Sequence, residues 1–203
     1  MPLTPLVKVN PNSLYVFVGY PGHGKTTARR MFCELTGLKG GSCSDVIFEV
    51  LSAHTGDDRQ SWEIQKQTER DSLVKLGDFL CGHIDRLTLT RFEPEGVTVE
   101  VRAPFERGPA ALALRLYDQG VRAIDGVRRA SELHALRAEM GKRGVALCVV
   151  LVSSPLDRET PPDNTDPEVL RFAPWVIVND RSLRELEAKV REWARWCAVY
   201  GGA

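Results

Sequence analysis

The sequence predicts an α/β fold in which a doubly wound parallel sheet carries helices on both faces. Strand-like and helix-like segments alternate along the 203 residues, which is typical of this fold class. The strand-like segments are short apolar runs, as expected of parallel strands buried on both faces. The first of them ends in a glycine-rich loop that is followed by an amphipathic helix. The length suits one domain, so residues 1–203 are predicted to form a single unit.

The first strand, loop and helix form the most specific motif in the chain. Residues 13–18 are "SLYVFV", a β-prone apolar run, and residues 19–26 are "GYPGHGKT", which has the G-x-x-x-x-G-K-T spacing of a phosphate-binding P-loop. An apolar helical stripe follows, and Gly37 ends it. The stripe consists of Ala28, Met31, Phe32 and Leu35. The alternative is a glycine-rich turn that precedes a lysine by chance, and the flanking strand and helix argue against it.

The chemistry of a P-loop gives each of these residue types a function. Backbone N–H groups point inward at phosphate oxygens, and the helix N-terminus adds its positive dipole. Lys25 adds a full charge beside the β- and γ-phosphates of ATP, and the Thr26 hydroxyl ligates Mg²⁺. The residues predicted to bind the ATP phosphates are Gly22, His23, Gly24, Lys25, Thr26 and Thr27. For His23 we expect the backbone to matter more than the ring.

Residues 43–87 are predicted to form a helical insert that binds the acceptor of the phosphoryl group. A short helix occupies its first part and stops at Gly56, and a longer helix is expected over residues 64–87 because leucines recur on one face. Residues 87–105 contain two alternating β-prone runs around a Glu-Pro-Glu-Gly turn. That pattern predicts a hairpin that decorates the domain.

The second half of the chain again alternates helices with strands. Helices are predicted over residues 109–119, over residues 131–140 and after residue 180, and strands over residues 120–125, 145–152 and 175–178. The polar, proline-rich residues 153–170 are predicted to form a surface loop that closes as a lid over the phosphates. Doubly wound sheets bind ligands at the carboxyl ends of their strands. Asp125, Arg128 and Asn179 should therefore converge with the P-loop in one crevice.

Composition argues against several other classes of function. Lys+Arg and Asp+Glu both number 27, so no basic excess favours nucleic-acid binding. No apolar run approaches the roughly 20 residues that span a bilayer, and the first residues lack the pattern of a secretion signal. The five cysteines are scattered and form no C-x-x-C pair. A reducing cytoplasm is therefore expected, rather than a zinc site or a disulfide framework.

Among P-loop proteins, further features favour a small-molecule kinase. The chain lacks an Asn-Lys-x-Asp motif for reading guanine, and no strand ends in the Asp-Glu pair of motor and helicase ATPases. The segment before Asp125 is long and helical, as are the acceptor-binding inserts of small-molecule kinases. Arg70, Arg128 and Arg129 are placed to hold an acceptor's phosphate, for which arginine offers a bidentate fork.

These segments resemble the deoxynucleoside monophosphate kinases of bacteriophages, within the wider superfamily of nucleoside and nucleotide kinases. "GYPGHGKTT" matches the phosphate loop, and "RDSLVKLGDFL" (70–80) is similar to an Arg-x-x-Leu-x-x-Leu-Gly pattern of that family. Three more segments carry the resemblance: "SDVIFEVL" (44–51), "AIDGVRRASELHALR" (123–137) and "VIVNDRSLRELEAKV" (176–190). The resemblance covers most of the chain. The 87–105 hairpin has no counterpart, however, and the 153–170 lid carries only Arg158.

The resemblance implies a three-layer P-loop kinase fold and the phosphorylation of a (deoxy)nucleoside monophosphate by ATP with Mg²⁺. Lys25 and Arg128 would act on the transferred group, and Arg158 would reach it from the lid. Asp125 would hold Mg²⁺ through water, together with Thr26. The acceptor would be held by Asp45, Arg70, Arg128 and Arg129, and the adenine of ATP by Asn179.

Structural roles compete with several of these assignments. Asp125 can cap the turn that follows it, and Asp45 and Asn179 can cap helices. Arg70 and Arg128 can form surface salt bridges, and Arg158 can be a solvated arginine of a loop. For the whole protein two alternatives stay open: a P-loop kinase for another small-molecule acceptor, and a nucleotide-binding switch that has no acceptor. The sequence does not select a base, a sugar or an oligomeric state, a homodimer being one option. The expected location is the cytoplasm, that of the host if the chain comes from a phage.

Overall fold

The computed structural model describes residues 6–58, 70–90, 98–155 and 166–201. Within these ranges the strands are β1 (Ser13–Val18), β2 (Gly40–Ser42), β3 (Thr88–Thr90), β4 (Thr98–Glu100), β5 (Ala123–Asp125), β6 (Ala146–Ser153) and β7 (Trp175–Val178). The helices are α1 (Lys25–Thr36), α2 (Cys43–Thr55), α3 (Arg70–Leu80), α4 (Ala111–Asp118), α5 (Ala130–Lys142), α6 (Pro167–Arg171) and α7 (Leu183–Tyr200). In these ranges no helix combines the length and the apolarity that crossing a bilayer requires.

The central sheet consists of five parallel strands in the order β2-β5-β1-β6-β7. β1 lies in the middle, paired with β5 on one side and with β6 on the other. The chain leaves β1 through α1 to reach the edge strand β2, returns later to fill the gap with β5, and then continues outward through β6 and β7. The predicted α/β fold with a doubly wound parallel sheet is therefore confirmed. Its strand order changes direction beside β1, which is where such sheets bind ligands.

β1 separates two hydrophobic layers. All six of its side chains are buried, and they alternate between the faces because successive strand side chains point to opposite sides. Leu14, Val16 and Val18 pack with residues of α2–α5 on one face, whereas Tyr15 and Phe17 pack with residues of α1 and α7 on the other. A continuous apolar run is needed here because neither face of β1 meets water.

An aromatic cluster fastens α1 and α7 to β1. Trp193 of α7 is 1% exposed, and the centroid of its ring lies 6.0 Å from Tyr15, 5.0 Å from Phe17 and 4.9 Å from Phe32 of α1. Edge-on aromatic pairs add about 0.5–1.5 kcal/mol each beyond the burial of their area. The predicted apolar stripe of α1, which includes Phe32, is thus buried between β1 and α7.

The sequence pattern does not predict β2. Its residues Gly40, Gly41 and Ser42 lack the β-branched and aromatic side chains that indicate strands. The strand forms because β5 offers a parallel edge, with Gly41 opposite Ile124. A Cβ atom at Gly41 would lie only 3.1 Å from a methyl group of Leu116, so the strand also needs small residues. Tertiary contacts rather than local propensity make this strand.

The long helix that was expected to reach residue 87 ends earlier, at Leu80. Gly82 has a φ of 76°, a left-handed conformation that ends helices. The guanidinium of Arg107 then satisfies carbonyl groups at this end, donating to Phe79 (2.7 Å) and to Ile84. Ile84 still packs against the core after the helix has ended, which explains why the apolar spacing continues beyond Leu80.

Two short strands lie within the predicted hairpin. β3 and β4 pair in antiparallel fashion, with Thr88 opposite Glu100, and the Glu-Pro-Glu-Gly turn lies outside the described residues. His54 of α2 accepts a hydrogen bond at Nε2 from the Arg102 N–H (3.1 Å). This bond fixes the segment after β4 to the helical layer.

Trp193→Ala should lower the free energy of unfolding by about 3–5 kcal/mol, because it leaves a cavity where α1, α7 and β1 converge. Equilibrium unfolding in guanidinium chloride, followed by far-UV circular dichroism, measures this loss. Val199→Ala in the same helix is the matched control: its side chain is 71% exposed, so the change should stay within about 0.5 kcal/mol. Equal losses in the two variants would contradict the role given to Trp193.

Candidate functional site

The glycine-rich loop forms the turn between β1 and α1, where the strand order reverses. Gly19, Gly22 and Gly24 have φ values of 144°, 75° and 91°, a range that residues with side chains rarely adopt. Gly24 is the N-cap of α1, and no side chain caps that end of the helix. The helix therefore offers its N-terminal dipole and N–H groups at the loop, the arrangement that binds phosphate in P-loops.

Two neighbouring strands support the loop from behind. A Cβ atom at Gly19 would lie 2.2 Å from the Val152 carbonyl oxygen of β6, so only glycine permits this approach. Asn179 lies directly after β7. Its side-chain Nδ2 donates to the His23 carbonyl oxygen (3.1 Å), and its backbone N–H donates to the Ser153 carbonyl oxygen (2.7 Å). The carboxyl ends of β6 and β7 therefore hold the backbone of the loop in place.

The ring of His23 makes a contact that the sequence analysis does not predict. Its Nδ1 accepts a hydrogen bond from the Ser154 N–H, 3.2 Å away and just after β6. The ring also meets Tyr20 of the loop edge-on, with 5.6 Å between centroids. The ring thus links the loop to the start of the 153–170 segment. No local pattern signals this contact, since His23 and Ser154 are 131 positions apart.

Lys25 is the first residue of α1, and its side chain turns back over the loop. Its Nζ donates to the Tyr20 carbonyl oxygen, 2.6 Å away. The ammonium group therefore lies beside the loop backbone that we predict to bind phosphate. Thr26 and Thr27 follow in the first turn of the helix, as the P-loop motif predicts.

Asp125 ends β5 beside the loop. Its Cα pairs with that of Phe17 in β1, and the residue is 2% exposed. Its Oδ2 accepts from Nε of Arg29, 3.1 Å away, so that a buried ion pair joins β5 to α1. The sequence gives no signal for Arg29, because the two residues are 96 positions apart and Arg29 belongs to no motif that assigns it a function.

The loop after β5 carries Arg128 and Arg129, and these two predicted acceptor arginines make different contacts. The backbone N–H of Arg128 donates to Oε2 of Glu132 (2.9 Å), and burial raises the pKa of that carboxyl group. The side chain of Arg129 reaches α3, where Nη2 lies 2.7 Å from Oδ1 of Asp78. Acceptor binding by Arg129 therefore stays a prediction.

A cleft between α2, α3, α4 and this loop contains both arginines. Its apolar lining includes Ile47, Leu73 and Leu112. Its charged residues are Asp78, Arg128, Arg129 and Glu132. The water-accessible volume is about 20 Å³, which is room for about one water molecule. An acceptor of nucleotide size therefore requires the helices around the cleft to separate.

The other acceptor candidates lie at helix ends or outside the described residues. Asp45 completes a capping box at the start of α2, where its Oδ2 accepts from the Ser42 N–H (2.8 Å). This is the capping role considered as the alternative to acceptor contact. Arg70 begins α3, and Arg158 lies outside the described ranges. Contacts of all three residues with an acceptor stay predictions.

The predicted Mg²⁺ site depends on two oxygen donors. The described residues include no group of three or more His, Cys, Asp and Glu side chains that could hold a metal by themselves. The Thr26 hydroxyl and the Asp125 carboxylate are oxygen ligands of the kind that Mg²⁺ binds, and Mg²⁺ takes many of its other ligands from water and substrate phosphates. Both side chains are therefore of a kind that fits such a site, although Oδ2 of Asp125 is also paired with Arg29. Mg²⁺ binding by Thr26 and Asp125 stays a prediction.

The chain was compared with known protein families, curated proteins and solved structures. No family model matches it, and no curated protein matches its sequence. Its structure is similar to that of a cysteine-to-alanine variant of the APS kinase CysC from Mycobacterium tuberculosis, with a TM-score of 0.41 and 16% identity over 90% of this chain and 97% of that chain. It is also similar to a sugar kinase from a Janibacter species, with a TM-score of 0.40 and 16% identity over 92% of this chain and 98% of that chain. Likeness at this level does not bear on the substrate.

Asn179 has two possible roles, support of the glycine-rich loop and contact with adenine, and a substitution distinguishes them. If Asn179 supports the loop, Asn179→Ala should lower the affinities for ATP and for inorganic tripolyphosphate equally, by about five- to tenfold. The reason is the loss of one hydrogen bond of about 1 kcal/mol. Calorimetric titration with each ligand in Mg²⁺ measures both affinities. Asn12→Ala is the matched control, because Asn12 lies before the amino end of β1, away from the loop, and donates to the Gly144 carbonyl oxygen there. A loss confined to ATP would instead establish the predicted adenine contact.

Proposed function

We propose that this protein is a kinase that transfers the γ-phosphoryl group of ATP to a (deoxy)nucleoside monophosphate. The observation that carries the proposal is the glycine-rich loop at the ends of three adjacent strands. β1 leads into the loop, and β6 and β7 support it through Val152 and Asn179. A loop of this sequence and shape surrounds phosphate with N–H groups, and Lys25 adds a charge that follows the moving phosphoryl group.

On the donor side of the proposed site, charged and polar groups at fixed positions would stabilise the phosphates of ATP. Phosphoryl transfer needs little covalent chemistry from the protein, so the loop N–H groups and Lys25 provide most of what it requires. Mg²⁺, when bound with ATP, supplies charge neutralisation at the phosphates. Thr26 and Asp125 are the residues that would hold it, Asp125 through water.

The acceptor is proposed to enter the cleft beside the 126–129 loop. The apolar side chains of Ile47, Leu73 and Leu112 suit the faces of a nucleobase. Arg128 offers the bidentate fork that a monophosphate accepts. Apolar walls next to Arg128 support a nucleoside monophosphate over an acceptor without a phosphate. The diphosphate product would serve DNA synthesis in the cytoplasm.

An assay that couples ADP release to a panel of acceptors tests the proposal. ADP release that depends on one ribo- or deoxyribonucleoside monophosphate supports it and identifies the base. Release with another small molecule alone would show that the acceptor class is wrong. Tight ATP binding with no acceptor-dependent release would indicate a nucleotide-binding switch instead.

Lys25→Ala should leave the fold intact and lower acceptor-dependent ADP release by at least about 100-fold, because the ammonium group stabilises charge in the transition state. Steady-state rates and a thermal melt, measured on the same preparation, check both statements. Lys142→Ala is the matched control, because that ammonium group pairs with Glu139 on an exposed face of α5. Turnover of the Lys25 variant close to that of the parent chain would refute the kinase assignment.

Arg128→Lys keeps the charge but removes the guanidinium fork. We expect kcat/KM for the monophosphate to fall about 10- to 100-fold, while the affinity for ATP stays within about twofold, because a charged hydrogen bond of about 1.5–3 kcal/mol is lost on the acceptor side. Initial rates at varied acceptor concentration and calorimetric titration with ATP measure the two effects. Arg143→Lys, which changes a surface pair with Asp118, should behave as the parent chain. A parallel collapse of ATP affinity would move Arg128 to the donor side.

A further inference from the structure

The ion pair between Arg29 and Asp125 lies next to the proposed cation site. We propose that Arg29 is a positioning residue that holds the Asp125 carboxylate beside α1, so that the divalent cation of a bound nucleotide is held tightly. The inference rests on the proposed function in one respect, the binding of a metal–nucleotide at the loop. It does not depend on the identity of the acceptor.

Arg29 projects from α1 toward the carboxyl end of β5. Positions three apart are neighbours on a helix surface, so Arg29 lies one turn after Thr26, the predicted cation ligand. Its Nε is 3.1 Å from Oδ2 of Asp125. Arg29 is 8% exposed and Asp125 is 2% exposed, so little solvent reaches the pair. The carboxylate is therefore tied to the same helix that begins with the P-loop lysine.

Gly40 of β2 makes room for the guanidinium. A Cβ atom at position 40 would lie 2.4 Å from Nη1 of Arg29 and 2.6 Å from Sγ of Cys33. The next residue, Gly41, faces the other side of the sheet, where a Cβ atom would lie 3.1 Å from Leu116. The guanidinium is thus enclosed between α1 and the strands β2 and β5. A side chain at position 40 would displace it.

Asp125 is the anionic partner of the guanidinium. The Cys33 thiol also lies beside Arg29, but burial raises the pKa of this thiol, so it is uncharged at neutral pH. The positive charge of Arg29 therefore acts on the Asp125 carboxylate. Removing one member of a buried pair leaves a charge without compensation, and the carboxylate then lacks the partner that fixes its position.

Stability alone is a weak reason for this pair. Buried ion pairs are often no more stabilising than apolar residues of the same volume. This pair also lies at the carboxyl end of β5, and the carboxyl ends of parallel strands are where such sheets bind ligands. Groups that orient a metal-binding side chain commonly change metal affinity by about 10–100-fold when they are removed. The location thus favours a role in cation binding.

Mn²⁺ binding to the full chain with a non-hydrolysable ATP analogue, followed by electron paramagnetic resonance, tests the proposal. Arg29→Lys keeps the charge but is too short and lacks the fork, so Mn²⁺ affinity should fall about tenfold or more. Affinity for the analogue in EDTA should stay within about twofold. Asp125→Asn should also lower the Mn²⁺ affinity. Combining it with Arg29→Lys should cause no further loss of affinity, because both changes act through one carboxylate.

Gly40→Ala provides a second test that changes no charge. The new methyl group displaces the guanidinium, so Mn²⁺ affinity should fall as it does in Arg29→Lys. Gly41→Ala is the matched control, because it makes the same change in the same strand on the opposite face. Mn²⁺ affinity in that variant should equal that of the parent chain.

Parent-like Mn²⁺ affinity in folded Arg29→Lys or Gly40→Ala would overturn the proposal, and so would additive losses in the double variant. A lower melting temperature without weaker Mn²⁺ binding would mark Arg29 as structural, and equal losses in the Gly40 and Gly41 variants would mean that β2, not the guanidinium, is responsible. The ADP-release assay separates this inference from the proposed function. If no acceptor is phosphorylated but Arg29→Lys weakens Mn²⁺ binding, the proposed function fails and the inference stands.

Discussion

The close approach of the glycine-rich loop to the ends of β6 and β7 is the constraint on which the rest of the site depends. At Gly19 a single Cβ atom would collide with the Val152 carbonyl, and at Gly24 it would lie 2.5 Å from Nδ2 of Asn179. Glycine at these positions lets the loop pack closely against the ends of β6 and β7. The direction in which α1 leaves the loop follows from the same contacts.

α1 connects the site to the core through three of its surfaces. Its N-terminus faces the loop, its apolar stripe places Phe32 against Trp193, and its Arg29 forms the ion pair with Asp125. The aromatic contacts fix the helix on the sheet, because interiors are packed too densely to allow it to slide. A helix held in this way keeps Lys25, Thr26 and Arg29 at constant positions relative to the strand ends.

Both described ends of the 153–170 segment are joined to the site. At its start, the Ser154 N–H donates to the ring of His23 in the loop (3.2 Å). At its end, the Asp166 N–H donates to the Arg128 carbonyl oxygen (2.8 Å), and Oδ2 of Asp166 accepts from the Ala130 N–H (3.3 Å). The described ends of the predicted lid are therefore joined to the glycine-rich loop on one side and to the loop of the predicted acceptor arginines on the other.

The sequence by itself determined the features that depend on neighbouring residues. The P-loop spacing, the apolar stripe of α1, the buried strand β1, the strand β6 and the fold class are all readable from it, because periodicity and turn residues act over a few positions. The same local rules placed the end of α3 too late, since Ile84 continues the apolar spacing after the helix has ended.

Only the tertiary structure decided the features that depend on which elements become neighbours. Gly40 and Gly41 form a strand because β5 lies beside them. Arg29 meets Asp125 across 96 positions, and His23 meets Ser154 across 131. Whether an aspartate binds a cation, caps a turn or pairs with an arginine depends on the groups that surround it. Those groups come together only when the strand order β2-β5-β1-β6-β7 is established, and that order arises from packing across the whole sheet.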